Sequence, residues 1–170
     1  MYGSKIIAAN PEEATKFSKP FYDDRKMMVQ RAEAGLKLLA AQPEVDKKRL
    51  GAIGYCFGGT TALALARNGA DLKGVVSFHG NLSTPTPAQK GEVKAEVLAL
   101  NGADDPLVKA EEVSAFKKEM EEAGVTYKSI DYPGATHAFT NPGATEIGKK
   151  FNLPVAYNEE ADKKSWDEMK

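Results

Sequence analysis

The sequence lacks the features that mark disulfide-bonded, nucleic-acid-binding, membrane and zinc proteins. Its single cysteine excludes an internal disulfide and fits a reducing compartment, so we predict a cytoplasmic protein. With 23 Lys and Arg against 24 Asp and Glu, the net charge of -1 gives no electrostatic basis for binding nucleic acid or a membrane surface. No apolar run reaches the roughly 20 residues of a membrane-spanning helix, and residues 1–10 lack the apolar run of a signal peptide. No cluster of Cys, His, Asp and Glu has zinc-ligand spacing, and we expect no metal.

What is present is an alternation of apolar strands with amphipathic helices. We predict strands at residues 51–55, 72–78, 97–100 and 125–132, and helices at residues 21–42, 57–67, 109–123 and 158–170, with a short helix from residue 11 and a loop between the last strand and the last helix. Trp166 is expected to be a core or docking residue. This alternation predicts an α/β fold, in which a mostly parallel sheet is flanked by helices, within one domain over residues 1–170.

The stretch Gly54-Tyr-Cys-Phe-Gly58 has the form of a nucleophile elbow, a strand–turn–helix unit written G-x-S-x-G when the nucleophile is serine. We expect glycine at both positions because a Cβ there would clash with neighbouring backbone. Cys56 would lie at a helix N-terminus, where the dipole and free N–H groups favour the thiolate. The alternative is a small structural cysteine packed between strand and helix.

Two further candidate residues follow later strands. Asp105 comes after the third strand and His137 after the fourth, and the carboxyl ends of parallel strands meet at one edge of the sheet. The chain order of nucleophile, acid and histidine is the one expected for an α/β-hydrolase. His137 would act as the base, Asp105 would fix its tautomer, and the N–H of Phe57 would donate to the oxyanion.

Each of these residues has an alternative interpretation. Asp105 alone would serve as a turn residue before proline, and Asp104 competes with it for the acid role. We prefer Asp105 because Gly102-x-x-Asp-x-x-Val108 is the usual spacing of the acid turn in this fold. His79, the other histidine, also follows a strand, but no acid lies at an obvious spacing from it, and we expect a structural role.

At these residues the sequence resembles the dienelactone hydrolase family, a family of cysteine-based α/β-hydrolases. The matching stretches are Gly54-Tyr-Cys-Phe-Gly-Gly59, Gly102-Ala-Asp-Asp-Pro-Leu-Val108 and His137-Ala-Phe139. The resemblance implies a nucleophile at Cys56, an acid at Asp105 and a base at His137, acting on a small-molecule ester or lactone through a thioester, without a cofactor.

The resemblance also suggests which residues border the substrate. Tyr2 looks like the family's tyrosine that follows an early strand and borders the active site. Tyr55 and Phe139 lie within the matching stretches, and we expect both to contact the substrate.

The sequence departs from the family in two places. Dienelactone hydrolases proper, the enzymes that give the family its name, carry an arginine shortly after the histidine to bind the substrate carboxylate, whereas Asn141-Pro142 stands here. Family members also have more strands and a helix ahead of Met1-Tyr-Gly3, so this chain resembles the C-terminal two thirds of a member, an α/β-hydrolase fold incomplete at its N-terminus and without the second oxyanion donor. The elbow strand would then lie at the sheet edge, and we expect homo-oligomers through that edge, an exposed apolar face or weak hydrolysis.

Two other functions fit parts of this pattern. A class I glutaminase also places a cysteine on an elbow, but it usually has a glutamate two residues after the histidine, where this chain has Phe139. A catalytically weak or inactive homologue would instead bind a small molecule or a partner. The pattern as a whole favours an ester or lactone hydrolase.

Overall fold

The structure, a computed structural model, describes residues 1–3 and 5–170. The chain divides into two compact units, Met1–Lys47 and Lys48–Lys170. Each unit is organised around its own secondary structure. The sequence predicts one domain over all 170 residues, and that remains a prediction.

The first unit contains two helices, α1 (Pro11–Asp23) and α2 (Arg25–Ala40). Asn10 caps α1 by accepting a hydrogen bond from the N–H of Glu13, and Asp24 caps α2 in the same way through Met27. The predicted helix over residues 21–42 is therefore wrong at its start, because Asp24 leaves the helical conformation, ends α1 and begins α2.

The second unit has a parallel sheet with helices packed on it. Within its described residues the sheet has four strands in the order β1-β2-β3-β4, which are Gly51–Tyr55, Gly74–Phe78, Glu96–Gly102 and Tyr127–Tyr132. All three strand pairs are parallel. The helices are α3 (Phe57–Arg67), α4 (Ala110–Ala123), α5 (Ala144–Phe151) and α6 (Glu159–Met169). The predicted fold class is confirmed.

Helix packing follows from the alternation of side chains along the strands. Helix α3 packs on β1 and β2, while α6 contacts β3. One core cluster contains the aligned side chains of three neighbouring strands together with a residue of α6: Phe78, Leu100, Tyr132 and Ala161. These strand residues share one face because Phe78 pairs with Leu100 and Gly102 pairs with Tyr132 in register.

One expectation about the C-terminal region needs correction, and another is narrowed. Residues 144–151, predicted as part of a loop, form α5, whose eight residues are too few for its apolar positions Ala144, Ile147 and Phe151 to establish a helical period. Trp166 is 47% exposed, which of its two expected roles leaves docking and not the core. The buried face of α6 is instead made by the small residues Ala161 and Ser165.

The elbow strand β1 lies at one edge of the sheet, as expected from the sequence. Its side chains alternate, so that Gly54 is buried while Ile53 and Tyr55 are 54% and 44% exposed. An edge strand offers unpaired backbone groups to another chain, and the exposed apolar side chains of β1 add to that capacity.

The two glycines of the elbow have different roles. A Cβ on Gly54 would collide with the carbonyl of Gly58, whereas a Cβ on Gly58 would meet nothing within 4 Å. The expected clash at residue 58 is therefore wrong. The turn brings the backbone of Gly58 against Gly54. Of these two positions, only residue 54 therefore has to be glycine for steric reasons.

We expect Gly54→Ala to destabilise the fold by about 1–3 kcal/mol or more, because backbone has to move to admit the methyl group. Gly58→Ala is the matched control, and it should be neutral or stabilising by up to about 1 kcal/mol because it lies in α3. Urea denaturation of both variants measures the difference. Equal losses of stability would contradict the assignment of the clash to Gly54.

Candidate active site

Cys56 occupies the turn between β1 and α3 in an uncommon backbone conformation. Its φ of 51° and ψ of -119° are unusual for a residue with a side chain. Its N–H donates to the carbonyl of Phe78 at the end of β2, with an N–O distance of 3.0 Å. This anchors the turn at the carboxyl edge of the sheet, and the cysteine itself is exposed to solvent.

Cys56, His137 and Asp105 are joined by two hydrogen bonds. His137 Nε2 lies 3.1 Å from Cys56 Sγ, and His137 Nδ1 lies 2.8 Å from Asp105 Oδ2. The Asp105 side chain is fully buried, and its other oxygen accepts a hydrogen bond of 2.8 Å from the N–H of Leu107. Asp104 is exposed. The side chain that contacts His137 is therefore that of Asp105, the acid preferred from the sequence.

Backbone contacts join the acid turn, which carries Asp105, to the histidine loop, which carries His137. The N–H groups of Ala103 and Asp104 donate to the carbonyls of Tyr132 and Ala135, at 2.9 and 3.0 Å. Gly102 passes so close to Ala135 that a Cβ would collide with its carbonyl. Because these contacts are between main chains, the spacing of Asp105 and His137 does not depend on long flexible side chains.

The electrostatics favour a thiolate beside an imidazolium. Although Cys56 is exposed as a residue, the protein around its sulfur removes part of the solvation of the thiolate, which raises the pKa of the thiol. The hydrogen bond and charge of His137, with the N–H of Phe57, outweigh this effect and lower that pKa. Burial disfavours the charged form of His137, but its hydrogen bonds to Asp105 and Cys56 raise its pKa to about 9. Both shifts favour transfer of the thiol proton to His137, which forms a thiolate–imidazolium ion pair.

His79 belongs to the same site, although the sequence favours a structural role. It follows β2 with a φ of 40°, is buried, and its Nε2 lies 2.9 Å from Thr140 Oγ1. Its ring packs edge-on against that of His137, with centroids 5.2 Å apart. Burial, and then the charge of His137, lower the pKa of His79 to about 4, so its ring is neutral at neutral pH.

A cleft of about 440 Å³ opens beside the cysteine, within the size range of small-molecule sites. Its lining comes from β1, the turns after β1 and β2, the histidine loop and α6: Tyr55, Cys56, His79, Ala138, Thr140, Asn141, Pro142 and Asp162. The sequence does not show that residues of this loop and of α6 line the cleft. Their positions depend on how the chain returns to the site through the irregular segment before α6.

The expected substrate-contacting residues lie in three different environments. Tyr55 lines the cleft. Phe139 is fully buried in the core cluster and packs against His79 and Tyr132, and its predicted contact with substrate stays a prediction. Tyr2 lies in the first unit, where its ring contacts Phe17 and Phe21, and its predicted role at the active site stays a prediction.

The fold and site together define an α/β-hydrolase: a parallel sheet with an elbow at one strand end and a histidine and acid on later turns. The family model for the dienelactone hydrolase family matches residues 1–170, and this chain belongs to that family.

Individual relatives support the same assignment. The chain is 36% identical over 139 residues to an uncharacterised protein of Caenorhabditis elegans, covering 80% of this chain and 85% of that protein. It is 32% identical over 126 residues to a probable 2-oxo-3-(5-oxofuran-2-ylidene)propanoate lactonase of a Bradyrhizobium species, covering 69% of this chain and half of that protein. A dienelactone hydrolase-like promiscuous phosphotriesterase from metagenomic libraries superposes with a TM-score of 0.88 at 34% identity, covering 99% of this chain and 69% of that one.

The part of the chain that the structure describes contains neither a candidate membrane span nor a candidate metal centre. No helix there is both long and apolar enough to cross a bilayer. Among the same residues, no three His, Cys, Asp or Glu side chains come together as metal ligands would.

The ion pair predicts how the reactivity of Cys56 depends on pH. Alkylation by iodoacetamide should rise with a midpoint below the ordinary thiol pKa of about 8.5, because His137 stabilises the thiolate. In His137→Ala the midpoint should move to higher pH, since burial and Asp105 then act without the imidazolium. Asp104→Asn, which removes an exposed neighbouring carboxylate, is the control and should keep the wild-type midpoint. Identical midpoints in wild type and His137→Ala would contradict the ion pair.

Proposed function

We propose that this chain hydrolyses carboxylic esters or lactones through a Cys56–His137–Asp105 triad. The observation that carries the proposal is the hydrogen-bonded series from Asp105 through His137 to the sulfur of Cys56, beside an open cleft. This arrangement supplies a nucleophile, a proton carrier and a group that orients the carrier, which are the parts that acyl transfer requires.

The first half of the reaction forms a thioester. The Cys56 thiolate attacks the carbonyl carbon, a C–S bond forms, and the carbonyl electron pair moves to oxygen. We expect the N–H of Phe57, at the start of α3, to donate to that oxyanion. As the tetrahedral intermediate collapses, the C–O bond breaks and the His137 imidazolium gives its proton to the leaving oxygen.

The second half releases the acid. Neutral His137 takes a proton from water, the resulting hydroxide attacks the thioester carbon, and the C–S bond breaks to regenerate the thiolate and the imidazolium. Asp105 contacts Nδ1 of His137, so it directs Nε2 toward the sulfur and stabilises the imidazolium at the end of each cycle. No step requires a cofactor.

The substrate class remains ester or lactone, since both present the same carbonyl to the sulfur. In a lactone the leaving oxygen stays attached to the acyl group, so ring opening yields a hydroxyacyl thioester. The lactonase name of the Bradyrhizobium relative supports including lactones in the proposal.

We expect Cys56→Ala and His137→Ala to abolish turnover of p-nitrophenyl acetate above background. Asp105→Asn should lower kcat/KM by about 10²–10⁴-fold, because it loses the orientation and charge that support His137. Asp104→Asn is the matched control: it changes the adjacent exposed carboxylate and should stay within about twofold of wild type. Hydrolysis above background that survives in Cys56→Ala would contradict the triad. Wild-type protein that shows only the background rate would favour a homologue that only binds small molecules or partners.

The exposed edge favours a second property, association between copies of this chain. We propose that β1 pairs with β1 of a second copy about a twofold axis, since Ile53 and Tyr55 are exposed on this edge strand.

Light scattering after size exclusion tests this association. Wild type should exceed the 18.3 kDa of one chain at high concentration, and Ile53→Lys should return it to that mass, because a lysine on an edge strand opposes pairing. Wild type that remains at the mass of one chain at its highest soluble concentration would overturn the idea.

A further inference from the structure

The lining of the cleft carries an uneven charge. Asp162 is its one carboxylate, and no lysine or arginine is among the lining residues that the structure describes. His79 also lines it and is buried, with a pKa lowered to about 4, so it adds no positive charge at neutral pH. Apart from the reacting sulfur and its histidine, the charge that a substrate meets is therefore negative.

Asp162 is held in place by its neighbours. It lies in the first turn of α6, and its Oδ2 accepts a hydrogen bond of 3.1 Å from the hydroxyl of Tyr157. The adjacent Lys163 pairs with Glu159, at 2.5 Å. A tyrosine hydroxyl is neutral, so this hydrogen bond leaves the charge of the carboxylate available to the cleft.

The charge of Asp162 acts on Tyr55, another residue that lines the cleft. Burial and the charge of Asp162 both raise the pKa of Tyr55. The Tyr55 ring stacks on Phe78 with centroids 4.6 Å apart, and Tyr55, which lines the cleft, is 44% exposed as a residue. A carboxylate on one wall and an aromatic ring on another are the two groups that attract an alkylammonium ion, by charge pairing and by cation–π interaction.

We propose that the cleft selects esters or lactones that carry a cationic group, and disfavours anionic ones, with Asp162 as the residue that determines this preference. The inference rests on the proposed function and specifies its substrate class. The cation would lie between Asp162 and the ring of Tyr55 while the carbonyl lies at Cys56. A substrate carboxylate would instead be repelled by Asp162 and find no cationic side chain in the lining.

The test compares substrates that differ only in charge. One set is p-nitrophenyl esters whose acyl chain ends in a trimethylammonium group, in its neutral tert-butyl isostere, or in a carboxylate. A second pair, acetylthiocholine and its tert-butyl isostere, puts the charge on the leaving group and shows which half of the substrate reaches Asp162. In at least one set, wild type should prefer the cation over the isostere by about three- to tenfold in kcat/KM, and added salt should reduce the ratio.

Asp162→Asn should remove this preference, whereas Asp167→Asn, on the same helix and paired with Lys170, should keep the wild-type ratio. Tyr157→Phe removes the hydrogen bond but keeps the carboxylate, so it should retain a preference for the cation. Thermal melts check that each variant is folded.

The outcomes separate this inference from the proposed function. A ratio unchanged in Asp162→Asn, or a preference for the anionic ester, overturns the inference while hydrolysis that depends on Cys56 stands. Hydrolysis that does not depend on Cys56 overturns the proposed function itself. Loss of the preference in Asp167→Asn would also overturn the inference, because the effect would then belong to the net charge of α6.

Discussion

The contact between the sulfur of Cys56 and Nε2 of His137 is the interaction on which the site depends. Apart from it, Cys56 is an exposed thiol on a strained turn, and His137 is a loop histidine bound to an aspartate. Together they form a pair in which the thiol pKa is lowered and the imidazole pKa is raised to about 9. In the proposed reaction this pair would supply the nucleophile and its proton donor together, so acylation would begin without a prior proton transfer.

The sheet creates this contact because the turns after three of its strands lie at the same edge. Parallel pairing places the ends of β1, β3 and β4 on the same side, and main-chain hydrogen bonds then join neighbouring turns. Gly54 and Gly102 stand where another backbone passes too close for a Cβ. The strained conformation of Cys56 persists because the surrounding backbone fixes it from both sides. Stability of the fold and reactivity of the sulfur therefore rest on the same packing.

Much of this arrangement could be predicted from the sequence, because strand ends and chain order are local properties. Cys56, Asp105 and His137 each follow a short apolar strand, and a parallel sheet then brings them together. The cleft was harder to predict. Asp162 reads as an ordinary acidic residue at a helix start, and its place beside Tyr55 depends on how α6 packs on the sheet. The burial of Phe139 in the core could not be predicted either, because closeness in sequence to His137 does not determine which way a loop side chain turns.

The most direct test of the account is to trap the acyl intermediate. Wild-type protein mixed with p-nitrophenyl acetate, quenched in acid within the first turnover and examined by intact mass and peptide mapping, should gain one acetyl group, and the group should be on the peptide that contains Cys56. Asp105→Asn should accumulate the same adduct more slowly, because its His137 is poorly oriented. Complete turnover with no acetyl group on Cys56 at any quench time, or an adduct on another residue, would contradict the central claim that this sulfur is the nucleophile.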